Sequence, residues 1–579
     1  MRARRTSALI AGAFVAGLAS LGAAWAGVVL APPPALKETT GLDVPAADEV
    51  LRAAGLAPAA PSAITAGTDE LAAGDIPAAA AATPPMPSGR VPAGTFLVGA
   101  ARASLAPTPG PWDPTGTRKW QTEGCSTYGA DGQQAPNLDH LLPSSLADIR
   151  GWPTASPDCI YLGGFGIGPV RPAQRVGNGG VWVRTVAISN GETTFIYSIA
   201  DAVGWFARYD ALVCTDCGIR DVRERLAADL QLDVGNIVVG STHSHATADT
   251  YGGWGGIPDW YRAQLRDAAI ASAKQAVANL QPATITVGDV HLRDRNNERR
   301  DSYYSNADTG ATWLQATGLS GDVIATLATF AGHPTIVDDP ILHADWPGAT
   351  ARHFESTYGG VGLLFEGGLG NVSISGVGGA DAEATAENTG VAVADDISRD
   401  ITHSPYTLAS NDLVASAQDI THPAMTNPGL LTLGAVGLFD REFTPGTKGA
   451  GLPGAYMWSK SDGAGQARSC ASFGPTVITT AGAHRIGELV IAFAPGEIFS
   501  NIAEVVKERV DRTAVTMVFG QTNDALGYII QSFEFDTSGN AVTEYGTQTG
   551  EYEEVFAIDR CFGDHVVQTL LDAAADVQG

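Results

Sequence analysis

Hydrophobic positions recur along this chain with two periods. Alternation with a period of two runs through Val181–Ile188 and Thr194–Ala200, and Asn190-Gly191 between them predicts a hairpin. Short apolar runs at Gly94–Gly99, Asn236–Gly240, Ala283–Val287, Val323–Phe330, Val361–Phe365, Leu489–Ala494 and Ala514–Gly520 read as further strands. A helical period takes over between them. Ile219, Val222 and Leu226 share one face of 218–230, and Tyr261, Leu265, Ala268, Val277 and Leu280 share one face of 259–281. The segments 497–510 and 564–577 repeat the helical pattern. Interleaved strands and helices predict an α/β or mixed α+β class with a mixed sheet.

The pattern is absent at the start. Residues 27–92 are rich in Ala and Pro and read as a linker. Before them, Arg2, Arg4 and Arg5 precede an uncharged stretch from Ala8 to Ala26, and Ala24-Trp25-Ala26 fits a cleavage site. Residues 1–26 thus read as a signal peptide. An uncleaved N-terminal anchor is the alternative, because the apolar run continues to Leu30. Both place residues 93–579 outside the cytoplasm, secreted or held at the surface. No later stretch is long and apolar enough to span a bilayer.

Charge narrows the partners. With 35 Lys and Arg against 62 Asp and Glu the chain carries −27, which disfavours nucleic acid. Glycine, 69 of 579 residues, has no collagen period and implies many turns. The six cysteines, Cys125, Cys159, Cys214, Cys217, Cys470 and Cys561, favour up to three disulfides in an exported chain, with pairing open. Cys214-Thr-Asp-Cys217 reads as a redox pair, half a zinc site or a short structural loop.

The candidate chemistry clusters where strands end. His243 and His245 follow the strand Asn236–Val239, and two residues apart they face one way if the strand continues. Such a pair can hold a metal, or one ring can bind while the other moves a proton. The strand Val323–Phe330 leads to His333-Pro334, with His343 and Asp345 shortly after. Leu489–Ala494 leads to Pro495-Gly496-Glu497, where Glu497 reads as a helix cap or a ligand. Ala514–Gly520 leads towards Asp524 and Tyr528. Val361–Phe365 runs into Glu366-Gly-Gly-Leu-Gly-Asn-Val-Ser373, an open backbone with a hydroxyl. Ser373 lies outside a nucleophile elbow, and Gly163–Gly168 lacks the spacing and the helix of a nucleotide loop.

In order, these segments resemble the catalytic domain of the neutral/alkaline non-lysosomal ceramidases. The resemblance rests on Phe96–Arg102, Leu162–Gly168, Gly180–Arg184 with Ala200-Asp201, Thr242–His245, Phe330–Pro334, Gly370–Ser375, Pro495–Glu497 and Gly527–Ile529. It implies one large domain of twisted mixed sheets layered with helices, without the family's C-terminal immunoglobulin-like domain. It implies Zn2+ held by His243, His333, Glu497 and Tyr528, with His245 and Ser373 as catalytic partners. Arg295 and Tyr552 are the matches to the family's arginine and second tyrosine. The implied reaction is hydrolysis of the N-acyl amide of ceramide to a fatty acid and a sphingoid base. Trp254, Ile257 and Trp260 are the expected walls of an apolar groove. The sequence departs from the family pattern at Ala246–Gly253, Asn371 and Ile374. Those departures keep two other readings open: a same-fold zinc hydrolase for another N-acyl or ester substrate, and a non-catalytic exported binding protein.

Overall fold

The structure, a computed structural model, describes residues 83–108, 168–300, 306–422, 475–510, 515–535 and 553–579, with shorter pieces of 120–165 and 427–442. The proposed signal, most of the proposed linker, Cys470 and Tyr552 lie outside the described residues.

The main sheet takes β1 (Phe96–Ser104), β2 (Trp182–Ser189), β3 (Thr194–Ala200), β4 (Ile237–Ser241), β5 (Gln281–His291), β6 (Gly310–Gly318), β7 (Val323–Phe330) and β8 (Val361–Glu366). Their order is β8-β7-β6-β5-β1-β2-β3-β4, with the short strand Tyr406–Thr407 as a ninth member on β5. A four-stranded sheet follows from β9 (Leu413–His422), β10 (Val477–Ile486), β11 (Leu489–Phe493) and β12 (Val515–Phe519), in that spatial order. Six helices are described: α1 (Ile219–Leu230), α2 (Asp259–Ala278), α3 (Asp345–Tyr358), α4 (Ala382–His403), α5 (Ser500–Arg509) and α6 (Phe562–Gln578).

Alternation along the strands explains the layering. Phe96, Val98, Val186, Ile188, Phe195 and Tyr197 form one core with Leu489, Ile491, Phe493 and Phe519 of the smaller sheet. Their neighbours Ala103, Val183, Ala187 and Ile196 face the other way, beneath α1 and α2. Val490, Ala492 and Val518 likewise turn outward beneath α5 and α6. The period of two thus serves two buried faces, which is why these strands read as nearly continuous apolar runs. The main sheet curls, bringing β8 back against β2, β3 and β4. Gly99 lets α2 approach β1, since a Cβ there would sit 2.2 Å from the Ala276 carbonyl oxygen.

Only three neighbouring pairs within these two sheets run parallel: β3 with β4, β7 with β8, and β11 with β12. Each is joined through a helix, α1, α3 or α5 respectively. Ligand sites in α/β sheets gather outside the carboxyl ends of parallel strands. The backbone joins these ends directly. Ser241 N–H donates to the Gln521 carbonyl, and Gly520 N–H donates to the Glu366 carbonyl.

One polar pair is sealed between the two sheets. His484 Nε2–H donates to the Gly235 carbonyl at 2.8 Å, and its Nδ1 accepts from Tyr197 Oη at 2.8 Å. Burial pushes its pKa down to about 4. The unfolded ring binds a proton below about 6.5, so the neutral ring contributes stability fully above that pH. The contribution is lost as pH falls from about 6.5 to about 4, at about 1.4 kcal/mol per unit and about 3 kcal/mol in all. His484→Gln is therefore expected to flatten the pH dependence of urea unfolding across that window. A slope equal to wild type would remove His484 as its source.

Cysteines pair as Cys125–Cys159 and Cys214–Cys217, and Cys561 is also disulfide-bonded. The C-x-x-C sequence closes on itself just ahead of α1, so it is a short covalent loop and not half of a zinc site. No helix among the described residues is long and apolar enough to cross a membrane.

Candidate functional site

Five strand ends deliver side chains to one place. His243 stands two residues beyond β4, in a left-handed conformation with φ 58°. That backbone is costly for a non-glycine residue, by about 1–3 kcal/mol, and is held by its surroundings. Thr242 N–H donates to the Ala200 carbonyl, and His243 Nδ1–H donates to the Val203 carbonyl at 2.5 Å. His333 stands three residues beyond β7, and its Nδ1–H points to the Leu369 carbonyl at 2.8 Å. Both rings therefore turn Nε2 inward as an acceptor.

Glu497 lies in the short strand Glu497–Ile498, which pairs in parallel with Tyr528–Ile529 and sets Glu497 beside Tyr528. Glu497 is not a helix cap, because α5 begins only at Ser500, after Phe499 as N-cap. Its Oε2 lies 3.1 Å from His333 Nε2 and 3.3 Å from His243 Nε2. Tyr528 Oη lies 3.4 Å from His333 Nε2, and His245 Nε2 lies 3.2 Å from His243 Nε2. Ser373 is half-buried, bridged through its backbone to His333.

The electrostatics make this a cluster of acceptors. Burial, with the nearby Arg299 cation, pushes the His333 pKa down to about 4. Burial and the neighbouring His243 and His333 rings hold His245 well below the usual imidazole range. Burial acts to raise Glu497, but the His243 and His333 imidazoles outweigh it and hold the carboxyl well below its usual value. Glu497 Oε2 thus lies at hydrogen-bond distance from the Nε2 atoms of two rings whose Nδ1 atoms face backbone carbonyls. Such an arrangement calls for a cation between the lone pairs. The Nδ1–H bonds to backbone carbonyls are the outer contacts that orient metal-binding imidazoles. His243, His245 and His333 together can hold a metal ion. Two imidazoles, a carboxylate and a phenol are a donor set that suits zinc.

Other expected residues are placed elsewhere. Arg295 turns away, its Nε–H donating to Asp396 on α4 at 2.6 Å. Arg299 takes the position beside the cluster, with Nη2–H donating to Tyr528 Oη at 3.0 Å and to the Gly370 carbonyl at 2.6 Å. Glu553 holds its Nε at 2.9 Å, and Glu553 and Glu554 also bind the buried Arg300. Glu553 thus meets the site through Arg299. His343 and Asp345 stay out of the cluster. His343 faces Glu383 and Glu387 near 4 Å, and the Asp345 carboxylate accepts the N–H groups of Ile336, Val337 and Trp346. Ile257 and Trp260 are buried in the core that α2 shares, and Trp254 is half-buried against that core.

Sequence reasoning passed over two contributors. Arg299 belongs to an Arg-Arg pair in a strongly acidic chain, a signal that was available. The Val203 carbonyl carries no sequence signal.

No family model and no curated protein matches this sequence. Solved structures do. Neutral ceramidase from Pseudomonas aeruginosa superposes with a TM-score of 0.54 at 14% identity, covering 83% of this chain and 74% of that one. A ceramidase complexed with C2 superposes with a TM-score of 0.53 at 13% identity, over 83% and 75%. The resemblance read from the ordered motifs is thus matched in three dimensions, and the chain has the fold of neutral ceramidase.

Proposed function

We propose that this chain is an exported zinc-dependent amidohydrolase that cleaves the N-acyl amide of ceramide-like lipids to a fatty acid and a sphingoid base. The observation that supports it most is the convergence of His243, His333, Glu497 and Tyr528 on a fold whose solved representatives are ceramidases. A zinc ion bound there supplies a Lewis acid and lowers the pKa of a water to about 7.

The chain's own groups supply the rest. His245, neutral and half-buried, accepts the proton of the attacking water at Nε2 and returns it to the leaving amine nitrogen. Arg299 holds a fixed positive charge against Tyr528 and stabilises negative charge growing on the carbonyl oxygen. Ser373 orients the substrate from the strand Val372–Ile374, and Tyr552 is a further candidate beside Glu553. One observation favours a second reading within this fold. Trp260, expected beside the site, is a core residue, so a groove for a long acyl chain needs other walls or the N-acyl or ester substrate is smaller.

The test is hydrolysis of a fluorescent short-chain ceramide, alongside a panel of short N-acyl amides and esters, by the purified protein with and without a zinc chelator. Turnover of the ceramide that chelation abolishes and zinc restores is expected. Turnover of only the smaller substrates would select the second reading. No turnover by folded, zinc-loaded protein would leave a binding role.

A further inference from the structure

We propose that Arg171 is the positioning residue for His245, clamping three loops that fix its ring beside the cluster. This deepens the proposed function and rests on it for the kinetic readout alone. Among the described residues the His245 ring has no side-chain hydrogen-bond partner except His243, and its buried Nδ1 has no hydrogen bond. Its direction is therefore set by packing and by its backbone.

Gly164 lies flat against the ring with φ 89°, and a Cβ there would sit 2.2 Å from His245 Cγ. Phe165 meets the ring edge-on with centroids 5.3 Å apart. The backbone N–H of His245 donates to the Pro334 carbonyl at 3.0 Å. Arg171 joins all of these. Its Nη1 donates to the His245 carbonyl at 3.0 Å and to the Gly163 carbonyl at 3.1 Å. Its Nη2 donates to the Asp339 carbonyl at 3.2 Å, and its guanidinium lies 4.8 Å over the Phe165 ring. One planar group thus ties the Gly-rich segment after Leu162, the His-x-His loop after β4 and the loop between β7 and α3. Gly163, Gly164 and Phe165, which open the segment that reads only superficially as a nucleotide loop, acquire a role as the wall that holds a histidine.

A lysine cannot replace this geometry. Its ammonium is a single point that cannot serve three carbonyls in a plane and stack on an aromatic ring. Misplacing a proton-transfer group by about 1 Å costs about 100-fold in rate. Arg171→Met is therefore expected to keep one zinc per chain, lower kcat about 100-fold and change KM less than about 3-fold, with Arg171→Lys little better.

A second readout needs no substrate. The rate of His245 carbethoxylation by diethyl pyrocarbonate, followed by mass spectrometry, should rise about 10-fold in Arg171→Met as the clamp opens, with exposed His291 and His403 unchanged as internal references. Phe165→Leu, which removes the ring beneath the guanidinium but spares the three carbonyl bonds, should move both readouts the same way. It serves if Arg171→Met does not fold. Unchanged His245 reactivity and kcat in the folded variants would overturn the assignment. Loss of zinc would also overturn it, by tying Arg171 to the ligands instead of to His245. If the wild-type protein hydrolyses no acyl compound while His245 reactivity still rises, the functional reading fails and the clamp stands.

Discussion

His243→Ala and Glu497→Ala are each expected to lose bound zinc and hydrolysis together. Both side chains are buried and supply two of the four proposed donors, so removing either breaks the donor set that holds the ion. The same variants carry a signature in the metal-free protein. There Glu497 lies 3.3 and 3.1 Å from the Nε2 atoms of His243 and His333, contacts that favour its ionised form. Metal-free Glu497→Ala is therefore expected to unfold below the temperature of metal-free wild type, while zinc stabilises only the wild type. Zinc content by mass spectrometry and thermal unfolding with and without chelator decide it. Stoichiometric zinc in either variant would remove that residue from the ligand set.

The second large effect concerns Asn371, where the sequence departs from the family's aspartate. Its Nδ2 donates to Glu298 Oε2 at 2.5 Å and to the Asn306 carbonyl, and its Oδ1 accepts the N–H of Ser500 at 2.8 Å. The carboxylate here belongs to Glu298, and position 371 must donate to it. Asn371→Asp would set a buried carboxylate against the half-buried Glu298 and is expected to cost about 3 kcal/mol. Because Asn371 ties the Ser373 segment to the start of α5, just after Glu497, hydrolysis should fall with stability. Adding Glu298→Gln restores a donor, and the double variant is expected to recover at least half of the lost unfolding free energy. A double variant no more stable than Asn371→Asp would refute the complementarity.

Much of this arrangement is legible in the residues. His243, His333 and Glu497 each follow an apolar run at a turn, and apolar runs that end in polar residues mark the ends of buried strands. What the sequence hides is what depends on distant partners. Helix α4 buries Ala386, Val393, Ile397 and Ile401 at helical spacing, but Thr, Gly and β-branched residues mask its propensity. Helix α3 carries Pro347 and Gly348 near its start, which read as a turn although proline is tolerated in a first turn. Strands β6, β9 and β10 likewise escape the pattern. Arg295 and Arg299 are four residues apart on one small ribbon, and only the partners Asp396 and Tyr528 tell them apart. Ile257 and Trp260 are near His245 in sequence but turn into the core that α2 shares.

The join between the two sheets has a further consequence. His243 and His333 extend from the nine-stranded sheet, whereas Glu497 and Tyr528 follow strands of the four-stranded one. An ion gripped by all four acts as a rivet across that seam. Its binding energy is then shared by the whole molecule, and neither half can hold it alone. Separating the sheets and releasing the ion become one event, so scarcity of the metal would be felt first as a shorter lifetime of the folded protein against proteolysis.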